Sequence, residues 1–532
     1  MNYKEMKKIL ILAAVSALSA LALVSCSEES LNTSPTDAVA SNTVLETTEG
    51  GMQALNGVYR WMNIWGRSVA YNNHQSFGPQ GYALMGDLMG EDMVMSAQGN
   101  GWFWNDYIYT VKAYYNSDGW RPYDCWNFYY TAISLVNYIL AAQHTMEGAQ
   151  ADIDYIMGNC YAVRAYSLHY LAMTFARSYI GHEDMLSVPI YTEPTVAGTP
   201  GKPRATNRKV YAQAMSDIDS AIVLLQGKGK QHVSHINYET ANGIKARIAL
   251  YMGEYQAALD AARIAAAGGT VEDDVTHGYN DVTRPDVLWG AEIIASQGTT
   301  NPQFLAHMDP DFGGYGDAAR KCASQWLYDK VAANDSRKAW WALEDVDGEG
   351  TMLLQQWKFQ FGNKQGHTVT DPTTGADQIF MRVPEMILTI AECQARLSDE
   401  AGARATLNDF MQHRQPGYNC TKSGLNLGSL TTAETGSLLE EIILQRRIEL
   451  WGEYGRIYDI KRLRQGFERT QDMGHPITAL LTNLNTDDPE SFDWVLTIPQ
   501  VELDANPYMV QNPLGSKPEG SNGDDPSLTP AI

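Results

Sequence analysis

The sequence is poor in the residue patterns that build metal, redox and nucleophile sites. Its six cysteines include no C-x-x-C pair, so neither a zinc site nor a thioredoxin-like centre is predicted. It contains no H-E-x-x-H motif, no G-x-S-x-G nucleophile turn and no G-x-x-x-x-G-K-S/T phosphate loop. The sequence therefore gives no support for the common metalloprotease, esterase or nucleotide-binding classes, and we predict no cofactor, no metal and no enzymatic activity.

Positive charge is also scarce. Lys and Arg number 39 against 62 Asp and Glu, which gives a formal net charge of −23. A protein that binds nucleic acid needs a basic surface to displace counterions from phosphate, and anionic lipid attracts basic segments. The charge balance therefore argues against both partners and suits a body surrounded by solvent.

Two local patterns resemble metal sites only weakly. His232 and His235 have a metal-like spacing, but further ligands are missing from the sequence around them. The acidic run 344–349 lacks the full twelve-residue calcium pattern, so a solvated turn is the favoured interpretation. Carboxylates are abundant, yet nothing in the sequence singles out two of them as a glycosidase pair.

The first thirty residues predict the compartment. Three lysines precede an apolar stretch over residues 9–24, which is shorter than the roughly 20 residues that span a bilayer and is typical of a secretory signal. The stretch ends in Leu-Val-Ser-Cys26, which resembles the lipobox cut by lipoprotein signal peptidase. That resemblance makes residues 1–25 a signal peptide and Cys26 the carrier of the acyl chains, palmitate among them. An ordinary secretory signal with a chance cysteine is the alternative.

The residues after Cys26 are expected to form a flexible tether to residue 40, because they are rich in Ser, Thr, Asn and Pro. Glu28 and Glu29 resemble the acidic export signal of Bacteroidetes surface lipoproteins, although they also suit a solvated tether. No other apolar run approaches membrane-spanning length. The remaining five cysteines are odd in number, so a disulfide framework is not predicted.

Helical periodicity dominates the rest of the chain. The segment Ile244–Ala265 resembles a tetratricopeptide repeat, with Gly253 at the turn and small alanines on the facing sides. A weaker copy lies at 390–407, although two unrelated hairpins would give a similar pattern. Other helices are predicted at Met52–Trp65, Trp126–Gln143, Asn159–Arg177, Gln325–Ala333, Ala376–Leu397 and Leu438–Trp451. We predict a mainly α fold with tetratricopeptide-like hairpins, long irregular loop-rich insertions, a few short strands, and one domain over 41–532.

Aromatic residues are concentrated near the start of the mature chain. Six of the 13 tryptophans and ten of the 29 tyrosines fall between Tyr59 and Tyr130. Rings at helical spacing, such as Trp126, are expected to cover helices. Rings in the long polar stretches are candidates for sugar stacking, because rigid aromatics lose little entropy on binding. On loop position and chemistry we predict the ligand-binding residues to be Trp102, Trp104, Asn105, Trp120 and Tyr315. The alternative is that these rings also plug the core.

An ordered set of sequence blocks along nearly the whole mature chain resembles the SusD/RagB family of Bacteroidetes lipoproteins. The blocks are Ala54–Tyr59, Trp126–Asn137, Arg164–Ile190, the helix after Arg204–Thr206, the hairpin at 244–265, Asp335–Arg337, Arg382–Glu392, Gln445–Arg462 and Ile498–Pro513. Within Gln445–Arg462, charges recur at three- and four-residue steps, so we predict a structural ion network on one helix face. Gln445 stands where the family usually has Glu, and we expect it to weaken one ion pair without changing the fold.

The resemblance implies a lipid-anchored outer-membrane protein, exposed on the cell surface. It would capture oligosaccharide or polysaccharide and deliver it to a partner SusC-like TonB-dependent transporter. Tetratricopeptide-like helices would form the scaffold, and irregular insertions would form a shallow ligand face. Capture of a non-glycan nutrient such as peptides is the main alternative. A surface glycosidase and a scaffold without ligand remain open from the residues alone.

Overall fold

The computed structural model describes residues 44–64, 73–110, 119–294, 297–298, 303–361 and 376–513. The signal peptide, Cys26 and the tether lie outside these residues, as do the first residues of the predicted domain. Within the described ranges the predicted mainly α fold class is confirmed. None of the helices there combines the length and the apolar character needed to cross a membrane.

In the described ranges, helices account for most of the regular structure, and six short strands accompany them. The helices are α1 Thr48–Asn63, α2 Pro79–Met89, α3 Trp104–Tyr107, α4 Trp120–Ala141, α5 Gln150–Phe175, α6 Asn207–Leu225, α7 Tyr238–Met252, α8 Tyr255–Ala266, α9 Phe304–Met308, α10 Tyr315–Ala318, α11 Gln325–Asp329, α12 Val383–Arg396, α13 Glu400–Gln412, α14 Leu438–Glu449, α15 Arg456–Leu463 and α16 Gln500–Ala505. The strands are β1 Met93–Met95, β2 Val287–Ala291, β3 Lys321–Ala323, β4 Trp341–Asp345, β5 Met352–Gln356 and β6 Gln378–Arg382.

The long helices pack in series. Helix α4 lies on α5, α5 on α6, α6 on α7, and α7 on α8. Helix α8 then packs on α12, and α12 on α13 and α14. The segment between α8 and α12 is therefore an insertion into an otherwise continuous helical stack, as the predicted scaffold and insertions require.

The two predicted hairpins are both present. Helix α7 ends at Met252, and Gly253 adopts a left-handed φ of 77° that lets α8 begin at Tyr255. A Cβ on Gly253 would also lie 2.9 Å from a carbon of Ile180. The second hairpin, α12 and α13, turns at Ser398, which has a φ of 69°. Buried alanines and leucines fill the space between the helices of both hairpins.

Several predicted boundaries are wrong, because distant strand pairing decides them. The residues before Val383, predicted as the start of a helix from Ala376, form strand β6, which pairs antiparallel with β2. Pro384 fits the first turn of α12 and helps to set its start. The helix predicted over Gln325–Ala333 ends at Asp329. Long stretches predicted as loops contain β1, β3, β4 and β5, which form one antiparallel sheet in the order β1-β3-β5-β4.

Smaller predictions are also tested by the fold. The acidic run 344–349 covers the end of β4 and the turn before β5, where Asp345 and Asp347 accept hydrogen bonds from backbone amides of the turn. Residues 347–349 are exposed and form the solvated turn that was favoured, whereas Val346 is buried. The five cysteines in the described residues are all buried and form no disulfide with one another.

Glu449 is the centre of a buried ion network. Its carboxylate lies between 2.9 and 3.4 Å from the guanidinium groups of Arg337, Arg382 and Arg414. All four side chains are at most 1% exposed. Although burial acts to raise it, the three arginines hold the pKa of Glu449 well below its ordinary value. The charged block thus has the structural role predicted for it.

The geometry of this block differs from the predicted single helix face. Helix α14 ends at Glu449 and α15 begins at Arg456, with a turn between them that contains two glycines of positive φ. Arg446 meets Asp459 across this turn at 2.8 Å, and Arg456 pairs with Glu91 at 2.9 Å. The turn therefore distributes the charges of one sequence block to several partners.

Gln445 keeps a place in the network as a neutral group. Its amide oxygen accepts a hydrogen bond from Arg337 at 2.5 Å, and its amide nitrogen donates to Glu441 at 2.9 Å. The second bond requires a donor, which a glutamate at this position would lack. A hydrogen bond to Arg337 thus replaces the ion pair expected from the family pattern.

Replacement of Glu449 tests this network. Glu449→Ala is expected to lower the free energy of unfolding by roughly 3–5 kcal/mol, because it leaves three buried guanidinium groups without their shared anion. Urea unfolding followed by circular dichroism measures the change. The control, Asp219→Ala, removes a half-exposed ion pair with Lys245 on helices α6 and α7 and should change stability by no more than about 1 kcal/mol. Equal losses in the two variants would contradict the assigned role of Glu449.

Lys321 provides a test of pH dependence. Its side chain in β3 is buried, its ammonium donates to the carbonyl of Ala319 at 2.6 Å, and burial lowers its pKa from 10.5 to about 7. Between these two values the unfolded chain binds more protons than the folded one, so this lysine destabilises the fold increasingly as the pH falls. Lys321→Met is therefore expected to raise Tm more at pH 6 than at pH 9. A gain of the same size at both pH values would contradict the expectation.

Candidate functional site

Three aromatic rings from distant parts of the chain meet at the surface. The indole of Trp102 stacks on the imidazole of His74, with ring centroids 4.5 Å apart and planes inclined by 15°. Tyr315 packs edge-on against both, at centroid distances of 5.7 and 5.8 Å. The Tyr315 hydroxyl lies 2.6 Å from Nδ1 of His74. All three side chains are partly exposed, and we call them the ring cluster.

A buried histidine supports the ring cluster from below. His307 on α9 packs against Tyr315 at a centroid distance of 4.9 Å, and against Phe77 and Phe103 on its other sides. Its Nε2 lies 2.8 Å from the carbonyl oxygen of His74. Burial, with a contribution from the charge of Lys321, lowers the pKa of His307 well below its ordinary value. The base of the cluster is therefore a neutral, packed aromatic layer.

Arg121 on the first turn of α4 connects the segments that carry the rings. It is fully buried and forms a two-point ion pair with Asp106 of α3 at 2.7 and 2.9 Å. Its guanidinium also lies 5.2 Å from the ring centre of Phe103 and 4.0 Å from that of Trp120. Two of its nitrogens lie 3.4 Å from oxygens of Gln75, next to His74. One arginine thus ties the 73–75, 102–107 and α4 segments together.

The backbone beneath the rings is unusual. Phe103 has a φ of 61° and precedes α3, and its backbone amide donates to the side chain of Gln75. Gly313 and Gly314, both with positive φ, precede Tyr315 at the start of α10. A positive φ is an outlier for a bulky residue such as Phe, and such outliers are found most often at ligand sites. The rings are therefore held by short, constrained segments.

The structure separates the five residues predicted from the sequence. Trp102 and Tyr315 come together in the ring cluster. Trp120 is the first residue of α4 rather than part of a loop, and it stacks on the buried Arg121. Trp104 is only 9% exposed and packs on Tyr107, so it belongs to the core. Asn105, next to it, is exposed.

His74 was not predicted from the sequence. It is 241 residues from its hydrogen-bond partner Tyr315, and it stands in a polar stretch with no recognisable motif. No local pattern in the sequence could have indicated this contact, because the position depends on how the insertion folds back over the first helices.

The ring cluster presents apolar ring faces beside groups that can form hydrogen bonds. Aromatic ring faces can stack on C–H groups, and the imidazole and the phenol can exchange hydrogen bonds with hydroxyl groups. The three side chains of the ring cluster include no carboxylate. The carboxylate of Asp106, below the cluster, is paired with Arg121. Within the described ranges no group of three or more His, Cys, Asp or Glu side chains could hold a metal ion. His235, one of the two histidines with metal-like spacing, uses both ring nitrogens within the protein. Its Nδ1 lies 3.1 Å from the hydroxyl of Tyr155, and its Nε2 lies 2.8 Å from the side-chain oxygen of Asn56.

Two family models match the sequence in separate regions. The model described as the SusD family matches residues 321–514, and the model described as starch-binding associating with outer membrane matches residues 80–250. The two regions do not overlap. The region 80–250 contains four of the five predicted site residues, and the fifth, Tyr315, lies just before the region 321–514. No curated protein sequence matches the chain.

Solved structures share the fold over most of the chain. A SusD-like carbohydrate binding protein from Bacteroides vulgatus is 24% identical, with a TM-score of 0.74 over 87% of this chain and 97% of its own. A SusD superfamily protein from Bacteroides thetaiotaomicron is 25% identical, with a TM-score of 0.71 over 88% of this chain and 100% of its own. One from Bacteroides fragilis is 21% identical, with a TM-score of 0.65, covering 87% of this chain and 99% of that one. Two family-model matches in separate regions, on a shared fold, confirm the predicted resemblance to the SusD/RagB family.

Proposed function

We propose that this protein binds glycans and acts as the capture subunit of a nutrient import system. The observation that carries the proposal is the ring cluster, in which Trp102 and Tyr315 are partly exposed yet held rigidly by a packed layer below. Rigid rings bind with little entropic cost. Two descriptions of similar proteins support the ligand class, namely a starch-binding family model and a carbohydrate binding protein of the same fold.

The remaining parts of the proposal concern location and partner. We propose that Cys26 carries the lipid anchor, that residues 26–40 tether the protein to the outer membrane, and that residues 41–532 form one substrate-binding domain exposed at the cell surface. The description of the second family model, which names association with the outer membrane, supports this location. The proposed partner is a SusC-like TonB-dependent transporter that accepts the captured glycan.

Capture without catalysis fits the side chains around the rings. A glycosidase needs two opposed carboxyl groups, about 5 Å or roughly 6.5–9.5 Å apart, around the sugar. Two acidic groups in the segments that carry the rings are engaged in ion pairs, since Asp106 pairs with Arg121 at 2.7 Å and Asp317 pairs with Arg320 at 2.9 Å. Peptide capture is the second candidate function, and it would need charged groups at the binding face, which the ring cluster does not supply.

Substitution of Trp102 tests the proposed site. Trp102→Ala is expected to weaken binding of whichever oligosaccharide the protein binds by about tenfold, because stacking of one aromatic ring contributes roughly 0.5–1.5 kcal/mol beyond the area it buries. The measurement is calorimetry with residues 27–532 against maltoheptaose, xylohexaose, cellohexaose, mannohexaose and a mixed peptide library. The control is Tyr508→Ala, which removes a ring that is 58% exposed and lies outside the cluster. It should leave affinity unchanged.

The possible results separate the candidate functions. Loss of oligosaccharide binding in Trp102→Ala alone supports glycan capture at the ring cluster. Unchanged binding in that variant refutes the site and leaves glycan binding intact. Binding of peptides without any oligosaccharide would replace the proposal by peptide capture.

Trp104→Ala is expected to lower Tm, since the structure places that ring in the core.

A further inference from the structure

One face of helix α4 forms the floor of an open groove. The residues Tyr123, Asn127, Tyr130, Ser134 and Asn137 follow one another at alternating steps of four and three, so they lie on a single face of the helix. All five line the groove. The face therefore alternates aromatic rings with small polar groups along its length.

The groove has the size of a ligand site. Its volume is about 410 Å³, within the range of roughly 300–1,000 Å³ that is usual for small-molecule sites. The segment from Tyr191 to Gly201 forms one wall, and Val501 and Glu502 at the start of α16 form the other. Trp120 lies one helical turn before Tyr123, at the end of α4 that Arg121 ties to the ring cluster.

Hydrogen bonds hold the walls against the floor. The Tyr130 hydroxyl donates to the carbonyl of Pro189 at 2.7 Å, and the Asn137 amide donates to the carbonyls of Tyr191 and Glu193 at 3.1 and 3.2 Å. Arg164 donates in turn to the Asn137 oxygen at 2.8 Å. The groove is therefore formed before any ligand binds, which lowers the entropic cost of binding.

Other polar groups of the floor remain available to a ligand. Tyr123, Asn127 and Ser134 are partly exposed, and their side chains make no hydrogen bond within the described part of the chain. Their positions on one face, beside the paired rings of Trp126 and Tyr130 at 4.8 Å, offer both hydrogen bonds and stacking. That combination suits a ligand with apolar faces and many hydroxyl groups.

The charge of the groove restricts the ligand further. Glu502 is the one acidic side chain among the lining residues, and no lysine or arginine is among them. Asn506 donates to its carboxylate at 3.0 Å. Lys202 lies against the ring of Tyr191, but its ammonium donates to the carbonyl of Ile190 at 3.1 Å. Because no cation is among the lining residues, an anionic ligand in the groove would meet the carboxylate of Glu502 directly, so the groove disfavours uronic acids and sulfated sugars.

We infer that the α4 groove is a second carbohydrate-binding site, distinct from the ring cluster, that takes a neutral oligosaccharide. This inference rests on the proposed glycan-binding function and adds to it the site and the charge class of the ligand. The groove floor from Tyr123 to Asn137 spans about 21 Å at the helical rise of 1.5 Å per residue. That length accommodates an extended chain of several sugar residues.

Variants at the two sites test the inference. We would measure binding of the four neutral oligosaccharides named above, and of hexagalacturonate as the anionic probe, to Tyr123→Ala, Trp102→Ala and the double variant. Tyr123→Ala is expected to weaken binding of the neutral probe by about tenfold, and the double variant more than either single variant. The control is Leu135→Ala on the same helix, which is 36% exposed and does not line the groove. Melting curves establish that every variant is folded.

The outcomes distinguish this inference from the proposed function. If Tyr123→Ala binds like the wild type while Trp102→Ala is weakened, the groove is not a glycan site and the ring cluster stands. If Tyr123→Ala is weakened and Trp102→Ala is not, the groove stands and the ring cluster falls. Hexagalacturonate binding as tight as that of the neutral probes would overturn the assignment of charge class. Failure of every oligosaccharide to bind would overturn both sites.

Discussion

The burial of Glu449 is the constraint on which the architecture depends. A carboxylate removed from water requires compensating charge nearby, and here three arginines supply it. Arg337 comes from the insertion between α8 and α12, Arg382 from the end of β6, and Arg414 from the residues after α13. The irregular insertion can therefore reach low free energy in only one arrangement relative to the helical stack. This is how a segment with little regular structure acquires a fixed position.

The same principle operates at the ring cluster on a smaller scale. Arg121 is buried because Asp106 neutralises it, and its guanidinium in turn fixes the loop that carries Phe103 and the end of α4 that carries Trp120. Helix α4 thus has one charged anchor at its start and a groove along the next four turns. If both sites bind glycan, a single rigid helix sets the distance between them, so a long polysaccharide could engage them together and gain avidity.

The aromatic residues illustrate how one residue type serves different roles within a short segment. Trp102 and Trp104 are two positions apart, yet the first is partly exposed beside His74 and the second is buried against Tyr107. The left-handed turn at Phe103 between them sends the two indoles in different directions. Composition and loop position predicted both tryptophans equally as ligand-binding residues. Only the backbone conformation of the residue between them assigns one to a surface and the other to the core.

The sequence by itself determined the helical class, the two hairpins and the structural role of the charged block. These follow from local periodicity, from Gly253 and from charge spacing, which act within a few residues. The tertiary structure alone decided that Ala376–Arg382 is not helical, that His74 meets Tyr315, and that a face of α4 remains open as a groove. Each of these depends on partners far away along the chain, such as β2 for β6 and α16 for α4. Local propensity carries no information about such partners, because the free energy that selects them arises only when the insertion packs on the helices.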